Sequence, residues 1–136
     1  MATVEDVRRI ALSLPGVQER VGGHTSAPAW RATRGAIAWV RGPRDRDLEQ
    51  LAALGRSWPA GEVIGLRVGS AEEAAALVAA EPEVFFTIPH FDGYPAVLVR
   101  LDEIDPDYLS EVLVDAWVTR VPQGVAKPWL ADHGLA

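Results

Sequence analysis

Glu83-Val-Phe-Phe-Thr-Ile-Pro-His-Phe-Asp-Gly-Tyr-Pro-Ala-Val-Leu-Val-Arg-Leu101 decides how the rest of the chain is read. Two apolar runs, Val84–Ile88 and Ala96–Leu101, flank Asp92-Gly93. An Asp-Gly pair in that setting predicts a β-hairpin closed by a type I′ turn, whose two central residues both need positive φ. Pro89 and Pro95 bracket the tip without amide donors, which confines the ladder to the flanking runs. Between them His90, Phe91, Asp92 and Tyr94 form the densest group of chemically capable side chains in the sequence.

Outward from this hairpin, the pattern alternates cleanly. Asp105 caps a helix with Pro106 at its first position, and Leu109, Val112, Leu113, Ala116 and Trp117 repeat at helical spacing up to Val121-Pro122. A short helix around Trp129 and Leu130 follows. Upstream, Ser70 and Glu73 open a helix that stops before Pro82, and Glu62–Val68 reads as a strand. Asp45 or Asp47 caps a short helix through Leu48, Leu51 and Leu54, ended by Gly55. Ala29–Thr33 and Ala36–Arg41 pair across Arg34-Gly35, with Trp30 and Trp39 as large strand formers. Thr3 and Asp6 start an amphipathic first helix that ends at Pro15-Gly16, and Val17–Pro28 reads as a loop. The expected fold is α+β: one domain over residues 1–136, a five-stranded, mostly antiparallel sheet with its helices packed on one face.

A chain of 136 residues with 49% apolar and 24% charged side chains can bury a core and is not disordered. Without cysteine there is no disulfide or thiolate chemistry. No apolar run is long enough to span a bilayer, and residues 1–15 do not resemble a signal peptide, so a cytoplasmic location and no membrane partner are expected. The net charge of −6 is unevenly spread. Residues 1–68 carry ten basic and seven acidic groups, and residues 69–136 carry three and twelve. A polyanion is attracted by the first half and repelled by the second.

Strand alternation separates the two sides of the sheet. Arginine is rarely buried without a partner, so Arg31, Arg41, Arg67 and Arg100 are placed on an open face with Ile37, Trp39 and Leu98. Ile64, Leu66, Val68, Val97, Val99 and Leu101 then face the helices. The open face reads either as a half-solvated surface or as a shallow groove for an anion or a nucleic-acid strand, with Trp39 as stacking platform.

Phosphate-binding, dinucleotide, zinc-protease and hydrolase-elbow motifs are all missing. Gly22-Gly23-His24-Thr25-Ser26 offers donors, but no strand is read ahead of it. His90 with Asp92 supplies two potential ligands, short of the three or four a metal needs. The pair reads instead either as an acid–base pair or as turn chemistry beside a Phe91–Tyr94 aromatic contact. No metal and no cofactor are expected. Five arginines, Arg31, Arg34, Arg41, Arg44 and Arg46, lie within sixteen residues, interleaved with Asp45, Asp47 and Glu49.

Ile10-Ala-Leu-Ser-Leu-Pro-Gly-Val17, Pro28-Ala-Trp-Arg31, Glu81-Pro-Glu-Val-Phe-Phe-Thr87 and Pro89-His-Phe-Asp-Gly-Tyr-Pro-Ala-Val-Leu-Val-Arg-Leu101 together resemble the MmcQ/YjbR family. The resemblance implies a small α+β fold similar to secretion chaperones and CyaY-like proteins. It also implies DNA binding through paired wing-like loops, with no established enzymatic activity. Ala36 stands where the family often has a basic residue, and Pro122-Gln123-Gly124 where it often has Pro-Lys-Arg.

Two sites are therefore expected of a non-enzymatic binding module. One is a DNA-contacting set, Arg31, Arg34, Trp39, Arg41, Arg44 and Arg46. The other is a groove for a small anionic ligand or a protein partner, formed by Arg67, His90, Asp92, Tyr94 and Arg100 at the open face and hairpin tip.

Overall fold

The computed structural model describes residues 1–21 and 27–135; the Gly22–Ser26 motif lies outside the described residues. The elements run α1 (Val4–Leu12), β1 (Gln18–Val21), β2 (Pro28–Ala32), β3 (Gly35–Val40), α2 (Asp45–Ala53), β4 (Val63–Arg67), α3 (Ala71–Ala80), β5 (Phe85–Phe86), β6 (Ala96–Arg100), α4 (Pro106–Val118) and α5 (Gln123–Asp132). The architecture is the expected α+β. The sheet has six strands rather than five, in the order β1-β2-β3-β4-β6-β5, and each pairing is antiparallel.

The additional strand is β1, inside the segment read as a loop. Its Gln-Glu-Arg-Val sequence is short and mostly exposed, so it carries no apolar alternation to detect. Glu19 gives it a structural role. It pairs with Trp30 across the ladder and accepts from the Trp30 indole N–H at 2.9 Å and from Arg8 Nε of α1 at 2.7 Å. The Arg8 and Trp30 hydrogen bonds hold the Glu19 carboxyl below its usual range. β1 also leads directly into Gly22, so the premise that no strand precedes that motif is corrected.

The central stretch also folds differently at its tip. Asp92 has φ −54° and ψ 125° and Gly93 has φ +73°. The Tyr94 amide donates to Phe91 O at 2.9 Å, which makes a type II turn rather than type I′. Pro89 starts a 3-10 turn over Pro89–Phe91, so β5 is cut to Phe85–Phe86 and meets β6 only at Phe85↔Val99 and Phe86↔Leu98.

The core on the helix side joins Val7, Ile10 and Ala11 of α1 to Trp30, Ala38, Ile64, Leu66, Val97, Val99 and the α4 residues Leu109, Leu113 and Trp117. Trp117 donates to Pro15 O at 2.9 Å and meets Trp129 of α5 edge-on at 5.2 Å. Ile37 belongs to this core as well, contrary to its expected place on the open face. The ladder slips between Trp30 and Arg31, which pair with Ala38 and Ala36. That bulge leaves Ile37 as the extra residue and turns it inward beside Ala38.

Candidate functional site

Arg67 pairs with Ala96 and Arg100 with Val63, so both arginines lie on the side opposite α1, α3 and α4, as alternation requires; α2 lies on the arginine side, so the helices are not all on one face as expected. Trp39 pairs with Gly65, and Gly65 with Leu98, on that same side. A Cβ on Gly65 would fall inside the Trp39 indole, so the glycine is the seat on which this ring lies flat against the sheet.

The face is not open along its whole width. Leu51 of α2, with Ile88 just before the 3-10 turn and Phe91 at its end, covers Val63, Phe86, Ala96 and Leu98 in a second core, against which Trp39 and Trp58 pack. Trp58 meets Phe86 edge-on at 5.6 Å. This cover corrects the expectation for two arginines. Arg41 is 7% exposed, donates to Gly42 O at 2.6 Å and lies 2.8 Å from Asp47 Oδ2. Asp47 also accepts from the Arg44 amide at 3.0 Å as the first turn of α2 closes, so Arg41 is tied into the fold. Arg100 donates to Pro82 O and Glu83 O at 2.8 and 3.1 Å and its guanidinium covers the Phe86 ring at 4.6 Å. It braces β5 and stands apart from the hairpin tip.

Next to this cover lies a cleft of about 510 Å³ lined by Trp39, Arg41, Arg44, His90, Phe91, Asp92, Gly93 and Tyr94. The two residue sets expected as separate surfaces therefore meet. Trp39, Arg41 and Arg44 come from the first hairpin and its following loop, and His90, Asp92 and Tyr94 from the central stretch. Phe91 and Tyr94 make the expected aromatic contact, edge-on at 5.9 Å. Tyr94 links the cleft to the rest of the face, because the Arg67 guanidinium sits over its ring at 5.5 Å.

From Arg67 the positive charge continues around the end of the sheet. The Arg34 amide donates to Arg120 O at 2.9 Å, and Arg120 Nη1 donates back to Arg34 O at 3.1 Å. These bonds dock the β2–β3 turn onto the end of α4. Burial, followed by the nearby charges of Arg67 and Arg34, lowers the Arg120 pKa. Outward, Arg31 pairs with Ala36 and Arg20 with Ala29; both are exposed on the same side as Trp39. Arg46 is exposed in the first turn of α2, outside the cleft lining. Ion pairs among the described residues engage Arg8, Arg9 and Arg41. Arg20, Arg31, Arg34, Arg44, Arg67 and Arg120 have no carboxylate partner there.

A family model described as YjbR matches residues 12–119. The chain belongs to the YjbR family. It is 44% identical over 135 residues, 98% of this chain and 100% of the relative, to the uncharacterised proteins Mb2600 of Mycobacterium bovis and Rv2570 of Mycobacterium tuberculosis. The crystal structure of Deinococcus radiodurans protein DR2400, with a domain of the DUF419 family model, superposes with a TM-score of 0.65 at 20% identity, covering 100% of this chain and 91% of that one. That likeness establishes the shared YjbR-type fold.

Sequence reasoning missed Arg120 and Arg20 as part of the basic face of this YjbR domain. Arg120 follows a helix whose pattern speaks only of core packing. Arg20 lies in β1, whose sequence carries no strand pattern. Its relation to Arg31 becomes a signal only once β1 is known to pair with β2.

Proposed function

We propose that this YjbR domain is a non-enzymatic binding module whose arginine face takes a nucleic-acid backbone. The observation that supports the reading is continuity. Arg44, Arg67, Arg120, Arg34, Arg31 and Arg20 follow one another from the cleft, around the sheet end and across the outer strands, without an ion-pair partner among the described residues. Phosphate contacts from such a row position a strand without reading its bases. Trp39 and Tyr94 in the cleft add flat surfaces for an unstacked base. Among the described residues Asp92 is the one carboxylate in the cleft lining, so repulsion of phosphate there is local.

The test is fluorescence anisotropy of labelled single- and double-stranded DNA across a salt series. Affinity is expected to fall steeply with salt, with a log–log slope of roughly 0.7 to 0.9 per phosphate neutralised. Arg34→Ala combined with Arg44→Ala is expected to lower that slope by about 1.4 to 1.8. Binding that is unchanged in this double variant removes the proposal.

The cleft itself favours a second reading, a single small aromatic anion held between Tyr94, Trp39 and Arg44, since its volume falls in the range of small-ligand sites. Saturable binding of a mononucleotide that is lost in Tyr94→Ala, with no affinity for longer strands, would select it over the first.

A further inference from the structure

On the side of the sheet opposite the arginines there is a second, larger depression. α3 packs against β6 and β5, whereas α4 packs against β3, β4 and α1. The two helices thus diverge and leave a trough of about 930 Å³ floored by Leu66. Leu77 and Ala80 of α3 line it, as do Val114 and Val118 of α4 and Leu130 of α5. α3 is rich in alanine but buries only Ala74, and its Ala76, Leu77 and Ala80 line this space.

Arg67 apart, the charged groups of the trough are all acidic, with Ser110 and Thr119 as its neutral polar groups. Glu73 of α3 and Glu111 and Asp115 of α4 line it, and none is in an ion pair among the described residues; Glu73 Oε2 accepts from the Gly69 amide at 2.9 Å, which leaves its other oxygen for a ligand. Glu111 and Asp115 are four residues apart on one helix, a spacing at which like charges repel. Burial, then the charges of Glu111 and Glu73, raises the Asp115 carboxyl above its usual range, in keeping with three carboxylates facing a common space. Arg67 also lines the trough, but its guanidinium lies over Tyr94 on the other side of the sheet. The carboxylates are too dispersed to hold a metal ion: no group of three acidic or imidazole ligands with that geometry exists among the described residues.

We propose that this trough binds a small organic cation, with an apolar body against Leu66, Leu77 and Val114 and a protonated amine between Glu73 and the Glu111–Asp115 pair. A concave, mainly apolar site of this size with a few convergent polar groups is the usual form of a small-molecule site. A cation relieves the repulsion among the three carboxylates, a neutral ligand leaves it, and an anion adds to it. The site is on the opposite side of the sheet from the basic strip, so it stands whether or not nucleic acid binds there.

Three probes sharing one apolar body separate these cases: 1-adamantylammonium, 1-adamantanol and 1-adamantanecarboxylate, each titrated into the ¹⁵N-labelled full chain. The ammonium is expected to shift amides around Leu77, Val114 and Leu130 and to bind about tenfold or more tightly than the alcohol, with the carboxylate weakest. Glu111→Gln with Asp115→Asn should bring the ammonium down to the affinity of the alcohol without lowering the melting temperature, because it removes like-charge repulsion. Equal affinity for the three probes, no binding of the ammonium, or shifts confined to other surfaces would overturn the proposal. So would an ammonium affinity unchanged in the double variant. Binding of a basic amphipathic peptide without the small cation would reassign the trough to a protein partner. These comparisons among probes stand on the native chain even if the double variant fails to fold.

Discussion

The two sides of the sheet are covered by different means. On one side α1 and α4 bring apolar stripes to Trp30, Ile64, Val97 and Val99, and α3 and α5 add Ala74 and Ala126. The buried indoles there are satisfied locally, Trp117 by Pro15 O and Trp30 by Glu19. On the other side Leu51 of α2, Ile88, Phe91 and Trp58 cover only part of the width, and the cover includes an ion pair, Arg41–Asp47, whose side chains are 6% and 3% exposed. A helix-covered face depends on repeated apolar contacts, each large side chain contributing about 1.5 to 3 kcal/mol. The thinly covered face depends on a few specific pairings, and what it leaves uncovered is charged. The first arrangement tolerates conservative change, whereas the second concentrates its stability in single residues.

Arg41→Ala tests this contrast most severely. It leaves Asp47 buried without its cation and is expected to cost about 3 to 5 kcal/mol in urea unfolding. Arg41→Met together with Asp47→Leu should recover to within about 1 kcal/mol of the native chain, as apolar replacement of buried ion pairs often does. A single variant costing less than about 1 kcal/mol would mean that the second core does not rest on this pair. Gly65→Ala ranks next. The added methyl must displace the Trp39 indole, with an expected cost of about 1 to 3 kcal/mol and a red shift in tryptophan emission. An unshifted spectrum and an unchanged melting temperature would show that Trp39 is not seated on Gly65. The smallest effect belongs to the helix side. Glu19 has a folded-state pKa below its unfolded value, so its contribution is complete above the ordinary glutamate range, near pH 4 to 5, and is lost as pH falls through the folded value. Glu19→Gln should flatten that acid limb of a stability–pH curve and cost about 1 kcal/mol at neutral pH through its weakened hydrogen bonds to Arg8 and Trp30. An identical acid limb in the variant would assign it to other carboxylates.

The same contrast explains what could be read in advance. Helical stripes such as Leu109–Trp117 and the caps at Thr3 and Asp105 are local, and the observed caps use the residues expected. Alternation in β4 and β6 correctly separated Arg67 and Arg100 from Ile64 and Val99, because each strand is read within itself. It failed at Ile37, where a bulge breaks the period, and at β1, where four largely exposed residues carry no period at all. The Asp92-Gly93 pair marked a turn, but not its type, which also depends on the 3-10 turn begun by Pro89. The second core was out of reach for a different reason. Leu51, Trp58, Ile88 and Phe91 come from three segments without a shared pattern, and only the fold brings them together. For the same reason His90, Asp92 and Tyr94 joined the first-hairpin residues in one cleft although nothing in their spacing links them.

The bracing of β5 affects how this molecule meets its own kind. A bordering strand usually offers free carbonyls and amides to any extended chain that drifts alongside. Here Arg100 takes the carbonyls of Pro82 and Glu83, and Arg56 takes that of Thr87 at 2.9 Å, while the strand itself spans two residues. That margin gives a newcomer almost nothing to hold. Growth by strand addition is left to the far border, where Gln18–Val21 is four residues long and carries the charge of Arg20. Crowded copies of this protein should therefore resist fibrous aggregation for as long as that short border keeps its arginine.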